Sequence, residues 1–284
     1  MRKIAVVTDS SADISVQQAL DLDVHVVRLP ILVDNVEYIE NETISLTEFT
    51  EKMKQGCAVK TSQPSIGSVC GLWDELLKDY EEVIYVPISS KLSGSYNSAV
   101  LAAKNYDDKV TVIDARFACA PTQFLLKEIH ELIRMGKTSA EIKTFVEENM
   151  SMHAILIPED LIYLKRGGRI SSAAAALGNL LKIVPLLSVE NGEIDVYDKV
   201  RTARKAHKMA LDFTLDVDNL DDYYFLVLYG GEENEASKEM YRQLCEKVNP
   251  DDTYYGPIYP VILAHAGPGT VGIGYVKKLK AILR

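Results

Sequence analysis

The chain has 284 residues, of which 47% are hydrophobic and 25% charged, with a formal net charge of −10 at pH 7. These values are typical of a globular protein with two domains or one large one. The acidic balance and the lack of a basic stripe argue against nucleic-acid binding. Because no apolar run reaches about 18 residues, we expect no transmembrane segment.

The first half of the chain alternates short apolar runs with amphipathic segments, a pattern typical of parallel strands joined by helices. The run Ile4-Ala5-Val6-Val7 predicts a buried strand rather than a secretion signal, because it is too short for the latter. Further strands are predicted at residues 24–29, 83–86 and 110–113, and helices at 15–20, 46–54, 65–80, 94–105, 122–135 and 139–150. Ser45 or Thr47 is expected to start the helix at 46–54.

The second half predicts a different mixture of elements. Asn191-Gly192 separates two short alternating segments, 186–189 and 193–197, and this pair is a strong β-hairpin signal. The other predicted elements are strands at 154–157, 223–229 and 260–264 and helices at 159–165, 202–213 and 234–248, together with a helix that Ser171 or Ser172 caps and that runs through Lys182. We therefore predict a Rossmann-like parallel-sheet domain at 1–155 and a smaller α+β domain at 156–284.

The four cysteines and five histidines are dispersed along the sequence, without a C-x-x-C pair. Such cysteines are expected to be reduced and structural, as in a cytoplasmic protein. We therefore predict a cytoplasmic location and neither a metal site nor a cofactor.

A predicted strand is joined to a predicted helix by a segment that contains Ser93 and Gly94. Ser93 occupies the expected N-cap position, and Gly94 lets the backbone approach a ligand closely. Free N–H groups at a helix N-terminus favour an anion, and ligands of open α/β sheets gather at the carboxyl ends of strands. An anion site and a plain capped loop both fit this segment.

Two hydroxyl side chains, Thr61 and Ser62, come shortly before Pro64. Pro64 favours an extended backbone before it, and Ser65 can cap the helix that follows. Hydroxyl groups donate to a carboxylate without adding charge. The segment is therefore a candidate carboxylate site as well as an ordinary capped loop.

A glycine-rich turn, Gly267-Pro268-Gly269-Thr270-Val271-Gly272, follows the last predicted strand. It matches G-x-G-x-x-G in form, but only twelve residues follow it, so we expect no dinucleotide-binding unit here. His265 ends the predicted strand beside this turn and can meet an anion as a neutral N–H donor or as an imidazolium.

Charged residues at three other places admit two interpretations each. Lys165 and Arg166 precede Gly167-Gly168 and Arg169 follows them, and this basic segment either ends a helix in the ordinary way or forms a docking or anion site. Asp9 and Asp114 both follow predicted strands and are either general bases or loop caps.

Taken together, these segments resemble the DegV family. The matching blocks occur in family order from residue 8 to residue 269 and thus cover nearly the whole chain. They are Thr8-Asp9-Ser10-Ser11-Ala12-Asp13, Lys60-Thr61-Ser62-Gln63-Pro64-Ser65, Leu92-Ser93-Gly94-Ser95-Tyr96-Asn97-Ser98-Ala99, Leu164-Lys165-Arg166-Gly167-Gly168-Arg169-Ile170-Ser171, Val200-Arg201-Thr202 and His265-Ala266-Gly267-Pro268-Gly269.

The resemblance implies a two-domain α/β protein that buries one long-chain fatty acid, such as a C16 or C18 acid, between its domains. It also implies the binding subunit of a bacterial fatty acid kinase. Such a subunit presents the acyl carboxylate to a separate ATP-dependent catalytic subunit, which makes acyl phosphate for phospholipid synthesis. The chain itself is then a carrier without catalytic residues, and we expect a monomer.

The resemblance also implies a set of site residues. The carboxylate is expected to be held by Thr61, Ser93 and His265, with a backbone N–H from Gly94. Arg169 and Arg201 are expected to support this site or to dock the kinase. The apolar segments 170–187 and 261–264 are candidates for the lining of the acyl tunnel.

Three other functions stay open on the residues alone. A serine hydrolase acting on acyl esters would use Ser93, His265 and Asp114 as a triad, although the residues around Ser93 do not form G-x-S-x-G. A phosphotransferase would need an unrecognised ATP site, because the chain has no G-x-x-x-x-G-K-[ST] motif. A ligand sensor that controls a partner protein would have the same pocket as a carrier.

Overall fold

The computed structural model describes residues 3–171, 174 and 183–284. Within these residues, no helix combines the length and the apolar composition that a membrane span requires. The same residues contain no group of three or more His, Cys, Asp or Glu side chains arranged to hold a metal ion.

The chain falls into two compact units, and each consists of two stretches of sequence. The first unit comprises Met1–Pro30 and Thr61–Ser151, and the second comprises Ile31–Lys60 and Met152–Arg284. These units differ from the predicted domains because residues 31–60 group with the second half of the chain. The division into domains at 1–155 and 156–284 stays a prediction.

Strands and helices alternate along most of the described chain. The strands are β1 Ile4–Asp9, β2 His25–Val27, β3 Pro30–Val33, β4 Val36–Ile39, β5 Val59–Thr61, β6 Glu82–Val86, β7 Val110–Val112, β8 Met152–Ile157, β9 Val184–Glu190, β10 Glu193–Val200, β11 Tyr223–Gly230, β12 Thr253–Ile258 and β13 Val271–Lys277. The helices are α1 Val16–Asp21, α2 Leu46–Lys54, α3 Ile66–Leu76, α4 Ser95–Ala103, α5 Pro121–Arg134, α6 Ser139–Asn149, α7 Ile162–Gly167, α8 Ala203–Leu215, α9 Glu235–Cys245, α10 Pro260–Ala266 and α11 Leu279–Ile282.

A four-stranded parallel sheet, in the order β2-β1-β6-β7, forms the centre of the first unit. Its strands are short and apolar, and β1 and β6 are buried along their whole length. Trp73 and Tyr85 pack edge to face, with ring centroids 5.8 Å apart, in the core between this sheet and α3 and α4. Because the strands are parallel, their carboxyl ends and the loops that follow them lie at one edge.

The second unit contains a six-stranded sheet in the order β10-β9-β8-β13-β11-β12. All neighbours in this sheet are antiparallel except β11 and β12. The predicted hairpin is confirmed, because β9 and β10 pair antiparallel and both Asn191 and Gly192 have positive φ. A smaller sheet, in the order β4-β3-β5, is formed mostly by residues 31–60.

The strand predicted at residues 260–264 is wrong, because this segment begins α10. A short apolar run does not distinguish a buried strand from a buried helix by periodicity. Pro260 stands in the first turn of the helix, where its fixed φ and missing N–H are tolerated. His265 therefore lies in the last turn of a helix rather than at the end of a strand.

The helix predicted to run through Lys182 lies largely outside the described residues. Ala174 is described, is helical, and donates its N–H to Ser171 Oγ at 3.1 Å, as expected of the predicted cap. Residues 172, 173 and 175–182, with most of the predicted tunnel-lining segment 170–187, lie outside the described part.

The N-cap of helix α2 is Ser45 and not Thr47, and its contribution to stability can be tested. Ser45 Oγ accepts the Glu48 N–H at 3.1 Å, whereas Thr47 is an exposed residue of the first turn. We expect Ser45→Ala to lower the free energy of unfolding by about 1 kcal/mol in urea denaturation. The matched control Thr47→Ala should be neutral or raise it by about 0.5 kcal/mol, and equal losses in both variants would contradict the assignment.

Candidate functional site

The loop that follows β6 brings Ser93 and Gly94 to the start of α4. Gly94 is the N-cap, so Ser93 stands one residue earlier than predicted. Its hydroxyl still accepts the Ser95 N–H, at 3.2 Å, and lies 2.9 Å from Ser95 Oγ. The start of this nine-residue helix therefore offers backbone N–H groups and a hydroxyl, without a cationic side chain in the turn.

A second segment reaches the same helix start through Gln63. A Cβ atom at Gly94 would collide with the Gln63 side-chain amide, and Gln63 Oε1 accepts a hydrogen bond from Ser98 Oγ at 2.8 Å. The Gln63 side chain therefore lies over the Gly94 backbone and would have to move aside for a larger residue. Thr61, which is half-buried and ends β5, precedes Gln63 by two residues. The structure therefore joins two of the segments singled out from the sequence.

Gln63 contacts the candidate site at Gly94 and Ser98, although no pattern in the sequence assigned it a role. An amide between two hydroxyls and a proline carries no recognisable chemical pattern. Its importance comes from contacts with Gly94 and Ser98, more than thirty positions along the chain. Only tertiary structure brings these residues together.

In the second unit, His265 packs against the end of α7. A Cβ atom at Gly167 would collide with His265 Nδ1, so the glycine leaves room for the ring. Arg169 lies close enough for its charge to act on His265, and its guanidinium donates to the Gly167 carbonyl oxygen. The structure therefore brings two of the predicted site residues, His265 and Arg169, together.

His265 is neutral at physiological pH. Burial and, to a smaller extent, the nearby positive charge of Arg169 together lower its pKa to about 4. The imidazole therefore carries one N–H donor and one acceptor nitrogen, and the imidazolium alternative does not apply near pH 7. Arg169 is the cation whose charge acts on the His265 ring.

Arg201 lies elsewhere in the second unit. It is exposed in the bend between β10 and α8, next to Thr202, whose hydroxyl caps α8 by accepting the Lys205 N–H at 3.3 Å. Its exposure suits contact with another molecule better than contact with a buried ligand.

Asp9 and Asp114 are loop caps rather than catalytic bases. Asp9 is fully buried and accepts the Ile88 N–H at 2.9 Å. The two oxygens of Asp114 accept hydrogen bonds from the N–H and hydroxyl of Ser90 and from the Arg116 N–H. Because Asp114 is engaged with its own loop, it does not resemble the orienting acid of a hydrolase triad.

A cavity of about 750 Å³ opens beside the glycine-rich turn of the second unit. Apolar residues such as Ile157, Val184 and Val271 line part of it. Four carboxylate side chains and one lysine also line it: Glu159, Asp160, Glu232, Glu233 and Lys54. This excess of negative charge makes the cavity a poor site for an anionic head group.

Comparison with known proteins agrees with the motif pattern, since the family model for DegV proteins matches residues 3–278. The chain belongs to the DegV family. Protein DegV of Bacillus subtilis is 34% identical over 276 residues, which cover 95% of this chain and 98% of that protein. The resemblance inferred from the motifs is confirmed.

Solved structures of DegV proteins share the fold of this chain. A fatty-acid-binding DegV family protein from Thermus thermophilus has a TM-score of 0.86 against this chain. The two sequences are 30% identical, and the match covers 98% of this chain and 100% of that protein. A stearic acid-binding protein from Eubacterium ventriosum has a TM-score of 0.85 and 26% identity over 99% of this chain and 100% of its own. The predicted α/β fold class is therefore confirmed, and the family neighbours bind fatty acids.

The contact between Arg169 and His265 yields a prediction about titration. Arg169→Ala should raise the pKa of His265, because a neighbouring positive charge disfavours the imidazolium. The pKa should stay below the ordinary value, since burial is the larger cause. NMR titration of the histidine ring protons measures this shift, with Arg166→Ala, an exposed residue of α7, as the control. A His265 pKa that is unchanged in Arg169→Ala would contradict the contact.

Proposed function

We propose that this DegV protein binds one long-chain fatty acid, such as a C16 or C18 acid, and presents its carboxylate to a separate ATP-dependent fatty acid kinase. The observation that carries the proposal is the start of α4, where a hydroxyl and the backbone N–H groups of a helix N-terminus follow a strand of the parallel sheet. The fatty acids bound by family neighbours support a carboxylate as the anion.

The proposed carboxylate ligands are Thr61, Ser93, the Gly94 N–H and His265. Each offers a neutral donor, since His265 is uncharged near pH 7. Hydrogen bonds from neutral donors satisfy a carboxylate without neutralising it, and the acyl oxygen then keeps the negative charge needed to attack a phosphoryl group. Arg169, beside His265, is proposed to support the site by its charge.

The acyl chain is proposed to supply most of the binding energy. Each buried methylene contributes roughly 0.8 kcal/mol, so ~14 of them contribute on the order of 11 kcal/mol before the cost of ordering. The second unit has apolar side chains suited to such burial. A buried cluster there consists of Leu161, Leu164, Ala174 and Leu187, and α10 adds Val261, Leu263 and Ala264. The head group then sets the orientation of the ligand more than its affinity.

The kinase chemistry is assigned to a partner because this chain has no P-loop motif. We propose that exposed Arg201 contributes to docking that partner, and that the carrier is a cytoplasmic monomer whose acyl phosphate feeds phospholipid synthesis. The family resemblance supports the kinase partner and the link to phospholipid synthesis, and the monomer is the default expectation.

Native mass spectrometry of the purified protein, with solvent extraction of bound lipid, tests the central proposal. We expect one fatty acid per chain, and its identity gives the preferred chain length. A protein that is empty, and stays empty when offered fatty acids, would overturn the carrier function. Ester hydrolysis by that empty protein, lost in Ser93→Ala, would favour the serine hydrolase instead.

Ser93→Ala tests the head-group assignment. Loss of one hydrogen bond to a charged group should lower acyl-phosphate formation with the partner kinase by roughly ten- to a hundredfold, while the bound fatty acid stays at one per chain. The control is Ser68→Ala, which removes an exposed hydroxyl from α3 of the same unit. Unchanged acyl-phosphate formation in Ser93→Ala would rule out this role for Ser93.

Arg201→Glu separates docking from lipid binding. Reversal of an exposed charge at an interface should lower the rate of kinase-dependent phosphorylation on the order of tenfold at low salt and leave lipid content unchanged. Lys247→Glu makes the same charge change at another exposed position of the second unit. Equal loss of lipid in Arg201→Glu would place this residue in the ligand pocket instead.

A further inference from the structure

The loop that follows β6 is anchored from both sides. In the first sheet, β6 lies between β1 and β7. An aspartate stands at the carboxyl end of each flanking strand, since Asp9 ends β1 and Asp114 comes two residues after β7. Both side chains accept backbone N–H groups of the β6–α4 loop.

The anchor on the β1 side is Asp9. Its Oδ2 accepts the Ile88 N–H at 2.9 Å, and its Oδ1 accepts the N–H and the hydroxyl of Ser11 at 3.0 and 2.5 Å. Burial raises the pKa of Asp9 and the hydrogen bonds from Ser11 and Ile88 partly offset the increase, so that the net pKa is about 6. The titratable group that faces it from β6 is Tyr85, whose own pKa is raised by burial and by Asp9. Asp9 is therefore mainly ionised at neutral pH, as an acceptor of several N–H and O–H groups requires.

The anchor on the β7 side is Asp114. Its Oδ1 accepts the Ser90 N–H at 3.1 Å, and its Oδ2 accepts the Ser90 hydroxyl. Its own backbone N–H donates to Glu147 Oε1 at 2.9 Å, and Lys143 Nζ donates to the same oxygen at 2.5 Å. The α6 side chains thus hold the backbone that carries the anchor.

Between the two anchored residues lies Ser89, which determines where Ser93 is placed. Ser89 is fully buried, and its N–H donates to the Phe117 carbonyl oxygen at 3.0 Å. Its carbonyl oxygen accepts the N–H groups of Leu92 and Ser93 at 3.0 and 3.1 Å. A displacement of residues 88–90 therefore moves Ser93 and the start of α4 with it.

We propose that Asp9 and Asp114 are positioning residues that clamp the β6–α4 loop so that the Ser93 hydroxyl and the Gly94 N–H point at the bound carboxylate. The proposal rests on the fatty acid function given above and adds to it two residues that need not touch the ligand. The negative charge of an aspartate near an anion site disfavours binding of the anion. The two aspartates therefore contribute to binding by fixing the backbone N–H donors in place.

The test uses the whole protein loaded with palmitate that carries ¹³C at its carboxyl carbon, whose NMR resonance reports the hydrogen bonds of the head group. The variants are Asp114→Asn, which removes the charge, and Asp114→Glu, which keeps the charge but displaces it by one methylene. Asp9→Asn tests the buried anchor, and Ser90→Ala removes a single bond to Asp114. Asp108→Asn is the control, since this residue is exposed in the turn before β7.

We expect both Asp114 variants, and Asp9→Asn, to move the bound resonance in the same direction as Ser93→Ala, with one palmitate per chain retained. Ser90→Ala should give a smaller shift in that direction, and Asp108→Asn should give none. An unmoved resonance in folded Asp114→Asn and Ser90→Ala proteins would overturn the clamp and leave the fatty acid function intact. A shift in Asp114→Asn that is absent or reversed in Asp114→Glu would assign the effect to charge and also overturn it. No bound resonance in the wild-type protein would overturn the fatty acid function itself and the clamp with it.

Discussion

The hydrogen bond from the Ile88 N–H to the buried Asp9 carboxylate constrains the loop that follows β6. A loop at the carboxyl edge of a sheet would otherwise be mobile, and its hydroxyl and N–H groups would form hydrogen bonds with water. Asp9 from one neighbouring strand and Asp114 from the loop after the other hold this loop in one path. The cost of a buried carboxylate, visible in the raised pKa of Asp9, is offset by the donors gathered around it. That path places Ser93 and Gly94 immediately before the first turn of α4.

The donors proposed for the ligand share one electrostatic character. Ser93, Thr61 and neutral His265 have no formal charge. Burial keeps the His265 imidazole deprotonated, and the positive charge of Arg169 adds to this effect. A fatty acid held in this way remains an ionised nucleophile, which suits a carrier whose cargo is to be phosphorylated by another protein. A hydrolase would need the reverse arrangement, an activated serine with a histidine base and an orienting acid, and Asp114 is engaged with Ser90 instead.

Local patterns predicted most of the elements, because their causes are local. The hairpin at Asn191-Gly192 follows from two residues that tolerate positive φ, and the cap at Ser45 follows from a hydroxyl before an amphipathic segment. The failure at Pro260–Ala266 has the same origin, since a buried run of five apolar residues satisfies a strand and a helix equally well. Motif order predicted the family, although no single block was specific enough.

The sequence by itself determined that this chain is an acidic α/β protein of the DegV family, with hydroxyls, a glycine and a histidine as candidate ligands. Only the tertiary structure decided how these groups are prepared for an anion. Folding places Gln63 over Gly94 and holds the β6–α4 loop with two aspartates from neighbouring parts of the sheet. It also brings Arg169 close enough for its charge to act on His265. The physical reason is that burial and the direction of a hydrogen bond depend on distances in space, and spacing along a chain does not specify these.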